Sequence, residues 1–215
     1  MRPALPFLAA LLLHLLPAAA AETITVGAFS SGDLKGWEEK SFKGHTQYEL
    51  VPGAAGATVL QASTDGMASG RFRKITVDLA KTPVLNWSWK IEAPYRDIDE
   101  NTKGGDDFPV RVYVVVERGP LGFFTRAMNY VWAGSKPVGA RWPNPFTGQA
   151  MMLAVDSGAA KAGAWVSHKR NVREDLRAAF GEDVSIIQAV AVMTDGDNGG
   201  RRARAWYGDI FFTSE

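Results

Sequence analysis

Apolar residues recur at every second position along much of the chain, and that period predicts strands. In Val84–Ile91, the residues Leu85, Trp87, Trp89 and Ile91 are apolar while Asn86, Ser88 and Lys90 are polar, which puts both tryptophans on the core face of one strand. Residues 110–117 repeat the pattern, with Val110, Val112, Val114 and Val116 on one face and Arg111, Tyr113 and Glu117 on the other. Residues 186–194 are β-branched and almost wholly apolar, which predicts a strand covered on both sides. A polar, glycine-rich turn then leads into residues 203–212, and the two segments read as an antiparallel hairpin. Weaker strand signals lie at 23–29, 47–51, 58–63, 70–78 and 151–155. Arg141-Trp142-Pro143-Asn144-Pro145-Phe146 is too rich in proline to read as a strand, so it is expected to be a loop.

One helix is well marked, over residues 172–180. Asn171 can cap it, Glu174 stands where a capping box needs an acid, and Gly181 follows Phe180 as a stop. Val172, Leu176 and Phe180 recur at four-residue spacing, so the helix is expected to lie against a sheet. No linker, repeat or low-complexity stretch divides the chain. Many strands with one short helix predict an all-β, single-domain β-sandwich, jelly-roll-like in its layering, over residues 22–215.

Composition narrows the chemistry. The 24 Lys and Arg balance 23 Asp and Glu to a net charge of +1, which speaks against nucleic acid as a partner. There is no cysteine, so thiol catalysis, iron–sulfur clusters, thiolate zinc sites and disulfides are all excluded. Motifs for nucleotide-binding loops, serine-hydrolase elbows and zinc proteases are absent as well. Met1-Arg2, an apolar run ending near Leu16 and a series of alanines closing at Ala21 read as a secretory signal peptide over residues 1–21. Cleavage there removes His14, leaves His45 and His168, and leaves no membrane span in the mature chain. The mature protein is therefore expected in the periplasm or outside the cell.

Acidic residues crowd two places. Asp97, Asp99, Glu100, Asp106 and Asp107 lie in one glycine-containing segment before the strand at 110–117. Either they form a solvated loop with Arg96 and Lys103 as partners, or they gather hard oxygen ligands for calcium. Asp195-Gly196-Asp197-Asn198-Gly199-Gly200 begins like a calcium loop, but Gly199 and Trp206 replace two of the required ligands, so it is not an EF-hand. As a turn it needs no ion, because Asp, Asn and Gly favour turns. Asp209 is an acid within an apolar terminal strand; it reads as a solvent-facing edge residue or as a ligand to a structural calcium. Trp142, with Arg141 and Asn144 beside it, has the character of a sugar-stacking residue. Gly122-Phe123-Phe124 reads as a hairpin tip or a contact patch.

Several of these stretches together resemble a known family. They are Asn86-Trp87-Ser88-Trp89-Lys90, Gly105-Asp106-Asp107-Phe108 leading into Val112-Tyr113-Val114-Val115, Asn129-Tyr130-Val131-Trp132, Arg170-Asn171-Val172 with Asp175, and Val192-Met193-Thr194-Asp195 with Asp197 and Asn198. The family is one of secreted bacterial proteins defined only as a domain of unknown function, and the likeness covers roughly residues 55 to 212. The resemblance implies a jelly-roll sandwich related to galactose-binding-type modules and implies no activity. The expectation is thus a binding module for carbohydrate or cell-envelope glycan. Its polar cluster would comprise Asp106, Asp107, Asp195, Asp197 and Asn198, with Arg111 and Arg170 as charge partners, Trp142 as a stacking surface and Asp209 as a metal ligand. A glycan hydrolase using paired aspartates and a structural envelope protein are the alternatives; oligomeric state is left open.

Overall fold

Two sheets carry the chain in the computed structural model, which describes residues 22–117 and 125–215. The expected signal peptide and the Gly122-Phe123-Phe124 tip lie outside the described residues. In chain order the strands are β1 (Thr23–Gly27), β2 (Trp37–Lys43), β3 (Gln47–Pro52), β4 (Thr58–Asp65), β5 (Ala68–Asp78), β6 (Val84–Ile91) and β7 (Arg111–Val116). After them come β8 (Arg126–Ala133), β9 (Arg141–Asn144), β10 (Thr147–Ser157), β11 (Val166–Asn171), β12 (Ile186–Asp195), β13 (Arg202–Tyr207) and β14 (Ile210–Thr213). The helix α1 (Val172–Phe180) sits between β11 and β12.

One sheet has the order β1-β14-β6-β13-β4-β3, with β11 paired to the other side of β6. The second has the order β2-β5-β12-β7-β8-β10-β9, antiparallel except for the parallel pair β8 and β10. They face each other as a sandwich, as the alternating pattern predicts. Leu85, Trp87, Trp89 and Ile91 from one sheet meet Val112, Val114, Tyr130, Trp132 and Val190 from the other in a continuous buried core. Each buried aromatic or aliphatic side chain removes enough surface from water to contribute roughly 1.5–3 kcal/mol. Trp87 packs on Tyr130 at 5.1 Å and edge-on to Trp89 at 5.5 Å. His168 lies 4.9 Å from Trp87, and its Nε2 is 2.7 Å from Asp156, so it serves the packing of the sandwich.

The helix has the expected ends. Asn171 Oδ1 accepts the Glu174 N–H at 3.2 Å, and Gly181, at φ 70°, donates its N–H to the Arg177 carbonyl. Val172 and Leu176 join the core.

Two expectations about strands are corrected. The segments 186–194 and 203–212 do not pair with each other. β12 is flanked by β5 and β7 and has no open edge, so the turn at 195–201 carries the chain to the opposite sheet, where β13 pairs with β4 and β6. Residues 203–212 also break into two strands at Gly208, whose N–H bonds the Ser88 carbonyl at 2.9 Å and where a Cβ would strike the Ser88 side chain. The proline-rich stretch contains β9, a strand after all. It is the last strand of its sheet, so the N–H that Pro143 lacks is not needed by any further neighbour.

Candidate binding cleft

The alternation that sends Val112 and Val114 inward sends Arg111 and Tyr113 to the outer face of the second sheet. By the same rule Ala68 of β5, Asn129 of β8, Ala150 of β10 and Met193 of β12 face outward beside them. Small residues at Ala68, Ala127 and Ala150 leave a hollow there. Its walls are Phe42 from β2, Asn144 and Phe146 around the β9–β10 turn, and Asp197 and Asn198 from the 195–201 turn. The resulting cleft has a volume of about 430 Å³.

At one end of the cleft lies a buried ionic cluster. Arg111 Nε donates to Asp195 Oδ1 at 2.8 Å, and its Nη2 donates to Asp195 Oδ2 and to the Asp106 carbonyl. The guanidinium also stacks 4.6 Å from the Phe108 ring centre. Behind it, Asp107 holds the turn together: Oδ1 accepts from the Asn198 N–H and side-chain amide, each at 3.1 Å, and Oδ2 accepts the Gly199 N–H at 2.7 Å. Burial and the neighbouring Asp106 and Asp107 carboxylates push the Asp195 carboxyl up to about 7, against the pull of Arg111. Burial alone would lower the Arg111 pKa, but Asp195 and Asp106 outweigh it and hold the group above its usual value.

The segment that brings Asp106 here is pinned along its length. Tyr95 Oη donates to the Asp195 carbonyl at 2.7 Å, and the buried Glu100 accepts the Gly134 N–H at 2.6 Å. Gly196 is required by this closeness, since a Cβ there would lie 2.9 Å from Tyr95 Oη and collide with the Arg201 carbonyl. Acids 97–107 therefore do not converge on one point: Asp99 bonds Asn101, Glu100 faces Gly134, and Asp106 and Asp107 alone reach the cluster.

Two polar groups in the cleft lack protein partners. Asp106 is 5% exposed; its Oδ2 accepts from Asn144 Nδ2 at 2.8 Å. No described residue donates to its Oδ1, which stands 3.5 Å from Arg111 Nη1, near enough for an ion pair but not a good hydrogen bond. Asn129 is also 5% exposed, and its side-chain amide makes no hydrogen bond to any described residue. Buried polar groups are nearly always paired, so Asp106 Oδ1, with the solvent-reaching Asn129 amide beside it, marks a place for something that supplies the missing bond.

The structure brings together Asp106, Asp107, Arg111, Asp195, Asp197 and Asn198 and separates the other residues singled out from the sequence. Trp142 is 5% exposed, donates its indole N–H to the Glu100 carbonyl at 2.9 Å and packs on Phe108, so it offers no open ring. Arg170 lies on β11 and clasps Asp175, which also accepts the Tyr130 hydroxyl at 3.0 Å; this pair ties α1 to the sandwich. Asp209 accepts the Ser30 N–H at 2.7 Å and the Ser30 hydroxyl at 2.5 Å, which accounts for both its oxygens. Phe42, Tyr113 and Asn129 are cleft residues that the sequence reading did not assign, whereas Asn144 and Phe146 belong to the 141–146 stretch in which it saw sugar-recognition character. For Asn129 a signal existed: with Tyr130 and Trp132 in the core, period two puts Asn129 on the outer face with Arg111.

Carboxylate oxygens of Asp107, Asp195 and Asp197 lie within 4.8 Å of one another. That spacing invites both a cation and an acid–base pair. Neither use suits the bonds present, because both oxygens of Asp195 are taken by Arg111 and both of Asp107 by backbone and amide N–H groups. Melting curves recorded with added calcium and with EDTA are accordingly expected to superimpose; a clear upward shift with calcium would show that the carboxylates rearrange around an ion.

Fold and cleft together define a two-sheet β-sandwich protein with a polar and aromatic hollow on the outer face of one sheet. The chain belongs to the family described as protein of unknown function (DUF3047), whose model matches residues 35–211. No curated protein matches it. Among solved structures it is similar to the family 11 carbohydrate-binding module of cellulase Lic26A-Cel5E of Clostridium thermocellum, at 10% identity and TM-score 0.47, covering 91% of this chain and 95% of that one. It is also similar to the family 30 carbohydrate-binding module of Cel9D-Cel44B from the same organism, at 12% identity and TM-score 0.46 over 84% and 92% of the two chains. A third is the K1 adhesin domain of Lys-gingipain from Porphyromonas gingivalis, at 11% identity and TM-score 0.41 over 90% and 98%. Among the described residues no helix is long and apolar enough to cross a membrane.

Proposed function

We propose that this protein binds a glycan in the cleft on the outer face of β12, β7 and β8. The observation that carries the reading is the combination of one buried unpaired oxygen, Asp106 Oδ1, and the uncommitted Asn129 amide with two exposed rings. Phe42 is 56% exposed and Phe146 53% exposed, and both border the cleft. Sugars need that combination, because their C–H faces stack on aromatic rings while their hydroxyls bond fixed polar groups. Arg111, Asn144 and Asn198 serve as the rigid frame. In this reading the protein acts beyond the cytoplasm, delivered by the signal peptide expected at residues 1–21.

A glycan array followed by calorimetry on the hits tests the proposal. Phe146→Ala and Asn129→Ala are each expected to weaken binding by about tenfold, close to 1.4 kcal/mol, with the melting temperature unchanged because neither group supports the fold. Binding that survives both substitutions at full strength would move the site elsewhere, and a blank array would remove the function.

A further inference from the structure

We infer that the cleft prefers glycans carrying free amino groups over neutral or acidic ones, an inference that rests on the glycan-binding reading above. The charged side chains lining the cleft are the carboxylates of Asp106, Asp195 and Asp197 and the guanidinium of Arg111. Arg111 is spent: two of its nitrogens are committed to Asp195 and the Asp106 carbonyl, and the third faces Asp106 Oδ1. It therefore presents no free cation to an acidic sugar.

The acceptors are in surplus. Among the described residues no group hydrogen-bonds Asp106 Oδ1, which has only the 3.5 Å ion-pair approach of Arg111 Nη1, and the Asp197 carboxylate has its own backbone N–H and a 3.5 Å contact from Asn198 Nδ2. Burial, and then the nearby Asp107, raise the Asp197 pKa against the opposing pull of Lys43 and Arg111. The lysines close by are occupied outside the lining. Lys43 Nζ donates to the Asp197 carbonyl at 2.9 Å, while Lys40 and Lys103 each rest 5.3 Å from the ring centres of Phe42 and Phe146.

A ligand that fits such a cleft must bring donors and, to offset the charge, must bring them on a cation. A sugar ammonium supplies three N–H donors. Its bonds to carboxylates are charge-assisted and roughly twice as strong as those of a hydroxyl. N-acetylation removes both the charge and two of the donors, and a uronic acid places a carboxylate against carboxylates.

Calorimetry near pH 6 decides it, with β-1,4-linked pentamers of glucosamine, N-acetylglucosamine and glucose and a pentamer of galacturonic acid as probes. The glucosamine pentamer is expected to bind about tenfold or more tighter than its acetylated form, and added salt is expected to weaken it alone. Asp197→Asn, at a half-buried turn position in the cleft wall, is expected to erase that preference, read as the ratio of glucosamine to N-acetylglucosamine pentamer affinities. Asp106→Asn is a second variant that keeps the Asn144 contact region filled. Equal affinity for amino and neutral pentamers, a preference for the galacturonate, or a preference that survives both variants would overturn the inference and leave the glycan reading standing. Failure of every pentamer to bind would overturn both.

Discussion

Replacing Arg111 with methionine is expected to destabilise the folded protein by about 3–5 kcal/mol near pH 8, because it leaves buried carboxylates without their cation. The loss is expected to shrink as the pH falls toward 4. Asp195 has a folded pKa of about 7 against an ordinary value of 3.8, so the folded protein holds that proton more tightly than the unfolded chain does. The stability this contributes is complete below the ordinary value and is lost as the pH rises through about 7. Arg111 is the group that limits that loss. Without it the charged form of Asp195 is harder to keep, so the gap between parent and variant widens on the alkaline side. Urea denaturation of both proteins across this range measures the gap; one that stayed constant or narrowed with rising pH would show that Arg111 does not govern the cluster.

The second large effect is at Trp89, which is fully buried and donates its indole N–H to Asp156 Oδ2 at 2.8 Å. Trp89→Ala opens a cavity between the sheets and is expected to cost about 3–5 kcal/mol. Trp89→Phe keeps much of the volume but removes one of the two bonds to Asp156 Oδ2, the other being from His168, and adds about 1 kcal/mol to any packing loss. Trp87 gives the control, since its indole nitrogen is buried with no hydrogen-bond partner among the described residues. Trp87→Phe is expected to be clearly milder than Trp89→Phe in the same denaturation experiment, and the reverse order would mean that the Asp156 bond carries little.

Both tryptophans were readable in the sequence, because strict alternation from Leu85 to Ile91 can place them on only one side of a strand. The same alternation made β7 legible and, with it, the outward direction of Arg111. The capped helix was equally plain, since Asn171, Glu174 and Gly181 each do a local job that needs no knowledge of the rest of the fold. What was not legible depends on partners far along the chain. Period two says which face of β12 is which but not which strand lies beside it, so the pairing with β13 was misread. Prolines in 141–146 forbid a central strand but not an edge strand, and the position of an edge is a property of the whole sheet. Trp142 looked like a stacking residue because its neighbours are polar; Glu100, which receives its N–H, is distant in sequence. The ionic cluster was found because its acids are dense in sequence, whereas the cleft beside it is built from single residues on several different strands.

The pairing of β1 with β14 has a consequence for how the molecule is made. The strand at Thr23–Gly27 finds its partner only at Ile210–Thr213, and β6 likewise waits for β11, β13 and β14. During synthesis this layer can therefore assemble only in part, as the β3–β4 pair, until β13 and β14 have been made, with the tryptophan-bearing strand incompletely paired in the meantime. Truncation before Arg202 would leave a chain that collapses without closing, a natural client for chaperones.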